Sequence, residues 1–165
     1  SVRQIEYGSF SGCTSLKSID IPSSVRQIEY GSFSGCTSLK SIKIPDNISI
    51  IRNNTFKGCT SLESIEIPNS VTLIGYRAFS GCTSLKSIKI PDSVTHIWDG
   101  AFEGCFNLKS VTIHEKKPEK TFALIRNTYL NNISDITLNV PIGTGYAYRH
   151  HPYFAKFKEI IANVR

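Results

Sequence analysis

No apolar run in this 165-residue sequence approaches the ~20 residues that a membrane-spanning helix needs, so no transmembrane segment is expected in the chain. Charge is sparse: 19% of residues are charged against 40% hydrophobic, a composition that folds rather than stays disordered. No leader peptide is visible. Residue 1 falls straight into a repeated unit, so further repeats are expected upstream, and the missing leader says little about localisation. The net charge of +6 lacks a coherent basic face. Residues 1–113 hold 11 basic and 9 acidic residues, and residues 114–165 hold 8 and 4. A nucleic-acid binder gathers its cations on one surface, so no nucleic-acid partner is expected. The length fits one ordinary domain.

What the sequence has in abundance is self-similarity. Cys13, Cys36, Cys59, Cys82 and Cys105 are each 23 residues apart, and so are Phe10, Phe33, Phe56, Phe79 and Phe102. Gly12 and Leu16 open two further series at the same period. Residues 1–22 and 24–45 differ only at Asp20 versus Lys43, which points to a recent duplication. The unit reads V-x-x-I-x-x-x-x-F-x-G-C-x-x-L-x-x-I-x-I-P, and a period of 20–29 residues is the leucine-rich-repeat signature. Leu16-x-x-Ile19-x-Ile21 followed by Pro22 reads as a short strand ended by a residue with no N–H to donate. One unit cannot bury its apolar side chains alone. Stacking the units yields a parallel sheet on one face and a continuous apolar column behind it. In such a column the cysteines are small buried hydrophobes, free and inert, and a single file of thiols does not converge on a metal. Gly12 and its equivalents mark a turn of unusual backbone conformation. Ser24, Asn47, Ser70 and Ser93, just past the strand, are placed to hydrogen-bond neighbouring turns.

The motif F-x-G-C-x-x-L-x-x-I-x-I-P resembles the Bacteroides surface protein A-like (BspA-like) leucine-rich repeats, the 23-residue treponemal type, with five in-phase copies over residues 1–113. Ile136-Thr-Leu138-Asn-Val140-Pro141-x-Gly143, followed by Tyr146, Tyr148, Phe154, Phe157 and Ile160, is similar to the closing segment of such bacterial proteins. His114 stands where the pattern has Pro, and Phe106 where earlier units have Thr. The resemblance implies a secreted or cell-surface protein that adheres to host or microbial partners, with no cofactor and no catalytic residues.

The expected architecture is therefore a mostly β repeat solenoid of the α/β type. Residues 1–113 form five repeats. Residues 114–165 form a degenerate last repeat, a sixth strand at Ile136–Val140 and a C-terminal helical cap, all in one continuous domain. Pro91 and Pro141 are 50 residues apart, four more than two units, which requires an insertion in the last turn. The segment from Thr144 to Ile161 is expected as one or two short helices whose Tyr146, Tyr148, Phe154 and Phe157 cover the end of the column. The N-terminal end has no visible cap, which leaves it open to pairing with another chain.

Two surfaces are candidate sites. The first is the solvent face of the sheet, expected to be concave, lined by Ser18, Ser41, Ser64, Ser87 and Ser110 in one column and by Asp20, Lys43, Glu66, Lys89 and Thr112 in the next. The second column alternates in sign, which either neutralises the sheet against itself or presents a binding surface. The second candidate is a flank patch of Tyr7, Tyr30, Tyr76 and Trp98, which is either a contact patch or cover for the core edges. No histidine among His96, His114, His150 and His151 has a recognisable ligand spacing, and no activated nucleophile can be assembled from the repeat serines. Neither an enzyme nor a metal site is expected. A protein or glycan partner is, with a non-binding stalk as the competing reading.

Overall fold

A computed structural model describes residues 2–165. The chain winds into a solenoid whose turns hydrogen-bond to one another at two places around the coil. The first is the V-x-x-I segment: β1 (Gln4–Ile5), β2 (Gln27–Ile28), β3 (Ile50–Ile51), β4 (Leu73–Ile74) and β6 (His96–Ile97). All of their pairings are parallel and in register at the 23-residue period, as in Ile51↔Ile74↔Ile97. The second is the L-x-x-I-x-I segment, which becomes a four-stranded parallel sheet in the later turns. Its order is β5 (Ser87–Ile90), β7 (Ser110–Ile113), β8 (Thr137–Pro141) and β9 (Glu159–Val164). In earlier turns the same register persists through the Lys43↔Glu66 bridge and bonds such as Lys40 N–H to the Lys17 carbonyl at 3.2 Å. The sheet expected from the I-x-I pattern is thus present, and a second ladder runs behind it. Two-residue strands leave too short an alternation for a sequence pattern to register.

The core lies between the two ladders. Leu39, Leu62 and Leu85 are fully buried, as are Phe33, Phe56 and Phe79. The five phenylalanine rings from Phe10 to Phe102 stack with centroids 5.2–5.6 Å apart and planes within 10° of parallel. Offset stacking at this spacing is favourable for aromatic pairs. Beside them stands the cysteine file. Cys36, Cys59, Cys82 and Cys105 are buried and free, and Cys13 is exposed. Each buried thiol donates to a phenylalanine carbonyl of the preceding turn, from Cys36 Sγ to the Phe10 oxygen at 3.1 Å through Cys105 Sγ to the Phe79 oxygen at 3.3 Å.

Two turns per unit require a left-handed backbone. Gly12, Gly35, Gly58, Gly81 and Gly104 have φ of +72° to +76°. The N–H of each of the first four donates to a carbonyl of the next turn at 2.7 Å. The array ends where no such carbonyl follows, and there the Asn131 side-chain oxygen takes the Gly104 N–H at 2.6 Å. The second left-handed position escaped the sequence pattern because its occupants vary: Gly8, Gly31, Asn54, Arg77 and Gly100, with φ from +51° to +67°. Of the four residues expected to tie neighbouring turns, three do. Ser24 Oγ donates to the Val2 carbonyl at 2.7 Å, Asn47 Nδ2 to that of Ser23 at 2.6 Å, and Ser70 Oγ to that of Ile48 at 2.6 Å. Ser93 Oγ is buried without a partner among the described residues.

The last turn departs from the rest. Where the others carry a two-residue strand, it carries α1 (Pro118–Ile125), which opens on Pro118 and packs against β6. An eight-residue helix spans about 12 Å, the length that about four extended residues cover. It therefore consumes some four extra residues, the expected insertion. The closing segment differs from expectation. α2 (Gly145–His150) and a short 3-10 turn at Phe154–Lys156 are present, but the chain then straightens into β9, which pairs with β8. The β-branched Ile160-Ile161 pair suits a strand better than a helix, and Leu138↔Ile160 continues the buried column. Tyr148, Phe154 and Phe157 are buried as cover, whereas Tyr146 is 73% exposed and stacks on His150 instead. Tyr148 donates its hydroxyl to the Glu115 carbonyl at 2.6 Å and lies 2.6 Å from Thr121 Oγ1, clasping the cap to the last turn.

The glycine turns and the thiols each generate an expectation. Gly81→Ala places a Cβ in ordinary contact with Gly58, so its cost is conformational, about 1–2 kcal/mol, read as a lower urea midpoint. Burial pushes the Cys59 and Cys105 thiols up to about 12 from 9.0, and the Tyr148 phenol up to about 12 from 10.0. The folded chain keeps protons that the unfolded chain releases, so this stabilisation is complete below pH 9 and is lost as the pH rises towards 12. The urea midpoint should fall across that window, and less steeply in a Cys59→Ala, Cys105→Ala variant. An unchanged midpoint would contradict the buried, protonated file.

Candidate functional site

The open face of the I-x-I sheet is set by strand alternation: Ile42, Ile65, Ile88 and Val111 point inward, and the residues between them point out. Ser18, Asp20, Ser41, Lys43, Ser64, Glu66, Ser87 and Lys89 are exposed, and Ser110 and Thr112 partly so. The register brings them into the two expected columns, with Ser87↔Ser110 and Lys89↔Thr112 as direct partners. The columns also run further than the five repeats. Thr137 and Glu159 extend the serine column, and Asn139 and Ile161 extend the charged one. Asn139 Nδ2 donates to Ser110 Oγ at 2.9 Å, tying the extension to the repeats. Glu159 and Ile161 were missed because their segment was expected to be helical. The alternation in Thr137-Leu138-Asn139-Val140 was itself visible.

Charge on this side of the molecule is arranged more finely than the alternating column alone. Lys43 and Glu66 are bridge partners, but the close ion pair forms on the far side of the serine column, where Lys86 Nζ meets Glu63 Oε2 at 2.9 Å. The hydrogen bond from Lys86 holds the Glu63 carboxyl below its ordinary range. The face carries small hydroxyls and single charges, and neither Arg nor an aromatic ring stands in its two columns.

The flank residues do not form one patch. Tyr30 and Tyr76 are each covered by an arginine, Arg52 at 5.2 Å and Arg77 at 5.1 Å from the ring centroid. Those arginines pair in turn with Glu29 at 3.2 Å and Glu103 at 3.0 Å. Tyr7 is 80% exposed. Trp98 stands in a different column, at the place of Gly75 and Arg52 in earlier turns, and lines a groove beside α1. Among the described residues, no group of three or more His, Cys, Asp or Glu is placed to hold a metal ion. None of the described helices is long and apolar enough to cross a membrane.

A family model described as the BspA type leucine rich repeat region (6 copies) matches residues 3–130. The chain belongs to the BspA-type leucine-rich-repeat family. The BspA-type chain is similar to a leucine-rich repeat protein from Bacteroides ovatus, with 34% identity over 86% of this chain and a TM-score of 0.67. It spans only 37% of that protein's length. It is also similar to the T. pallidum leucine rich repeat protein, with 31% identity, 99% of this chain and 81% of that one covered, and a TM-score of 0.67. The pneumococcal vaccine antigen PcpA shares the fold, at 16% identity over 90% of this chain and 42% of its own, with a TM-score of 0.61. No curated protein matches the chain.

If the alternating column neutralises itself, Glu66→Lys should place like charges on adjacent turns. The expected cost is about 0.2–1 kcal/mol, measured as a drop in melting temperature at low salt that disappears when salt screens the column. A drop that persists at high salt would point to lost packing instead.

Proposed function

We propose that this BspA-type chain is an extracellular or cell-surface binding module that adheres to a protein or glycan on a host or microbial surface. The observation that carries the reading is the open sheet face. Turn after turn presents exposed side chains in two register-locked columns, and stacked repeats commonly use such surfaces for macromolecules. The family membership supports it, and PcpA, described as a vaccine antigen, has the same fold. No catalysis is assigned to the chain: burial pushes the thiols of Cys59, Cys82 and Cys105 away from the reactive thiolate.

A structural stalk is the second reading, favoured by one feature. Aromatic residues and arginine dominate binding energy at interfaces, and the two columns have none. The readings separate in one experiment. The chain is tested against immobilised matrix glycoproteins and bacterial surface polysaccharides, with a Ser41→Arg, Ser64→Arg variant alongside and a thermal melt of each. Saturable binding lost in the folded variant supports adhesion through the face. Binding that survives in the variant moves the site elsewhere, and no binding to any surface supports the stalk.

A further inference from the structure

The replacement of a strand by α1 has a geometric result. Paired strands lie ~4.8 Å apart, whereas a helix with its side chains is about 10–12 Å across. The surface therefore steps where β6 meets α1, and the step is a groove of about 870 Å³. Its floor is apolar, formed by buried Val94, Ile97 and Ile113. The turn of β6 brings His96 and Trp98, the only tryptophan in the chain and 48% exposed. The turn of α1 brings Lys116, Lys117 and Lys120 together with Glu115, and Asp92 also lines the groove, so its lining carries three lysines against two carboxylates. Lys120 lies 4.0 Å from Glu115, and Lys116 and Lys117 have no ion pair among the described residues. His114 also lines the groove, its Nε2 buried with no protein partner.

We propose that this groove binds an acidic polysaccharide, one bearing uronate or sulfate groups. Such a sugar has a flat face of polarised C–H bonds, which suits the negative face of an indole ring, and anionic groups that pair with ammonium ions. The groove offers both, Trp98 from the turn of β6 and the lysines from the turn of α1. An acidic peptide would use the lysines but has no matching face for Trp98. A single-stranded nucleic acid draws on several aromatic platforms for successive bases, and the groove has one. The site is separate from the open sheet face and does not depend on its role.

Trp98 is the reporter. A heparin-derived hexasaccharide and an oligogalacturonate are titrated into the protein while its fluorescence is followed, with neutral dextran oligosaccharides, poly-glutamate and oligothymidylate as comparisons. Saturable change with an acidic sugar and none with dextran is expected. Lys116→Glu with Lys117→Glu should weaken binding about tenfold or more. Lys17→Glu with Lys40→Glu, the same charge change on distant turns, should alter it less than about twofold. Trp98→Ala, followed by calorimetry and checked by thermal melt, should also lose binding. Equal losses in both lysine variants would reduce the interaction to bulk charge and overturn the proposal. So would an absent response to both acidic sugars, or binding of poly-glutamate or oligothymidylate as tight as that of the sugars.

Discussion

The structure depends on register. A parallel pairing fixed at 23 residues makes each side chain the neighbour of its own counterpart, so any property a unit position has is summed along the axis. Apolar positions become columns, phenylalanines become a stack, and thiols become a file of donors to carbonyls. The Gly12 series follows the same register. In every unit that series turns left-handed, and the N–H of each of the first four glycines reaches the next turn at 2.7 Å.

Register also governs how the array stops. A stacked turn leaves donors and apolar area facing outward, and the last turn meets both needs with different side chains. Asn131 supplies the oxygen that a further turn would have supplied. Tyr148, Phe154 and Phe157 supply the area, and β9 supplies a final strand to the sheet. The helix α1 belongs to the same ending. No further two-residue strand has to pair beyond it, so the chain there is free to take a thicker element.

How much was legible in the sequence follows from this contrast. Where positions repeat, sequence reading located the sheet, the glycine turns, both columns of the open face and four of the five cysteines as buried, Cys13 being exposed in the first turn, because five copies average out accident. Where the structure uses a position without repeating its residue type, it did not. The Gly8 position is occupied by Asn54 and Arg77 in two turns, and the V-x-x-I strands are two residues long. The closing segment occurs once, and its aromatic residues suggested helix while Ile160 and Ile161 decided for strand. The groove beside Trp98 was not readable, since it arises from the thickness of α1 rather than from any motif. Trp98 was grouped with the tyrosines because it adjoins them in the chain, although it lies one column away.

The near-identity of the first two units has a genetic reading. Because the turns are interchangeable in register, loss or gain of one unit's codons joins surfaces that already fit, and array length can drift without redesign of the core. The features that drift would multiply or divide are those of the open face, whose columns gain a residue with every added turn. Those at the cap, built once from α1 and its neighbours, keep a fixed stoichiometry of one per molecule. A lineage of such proteins can therefore lengthen or shorten one surface while a single-copy feature on another stays untouched.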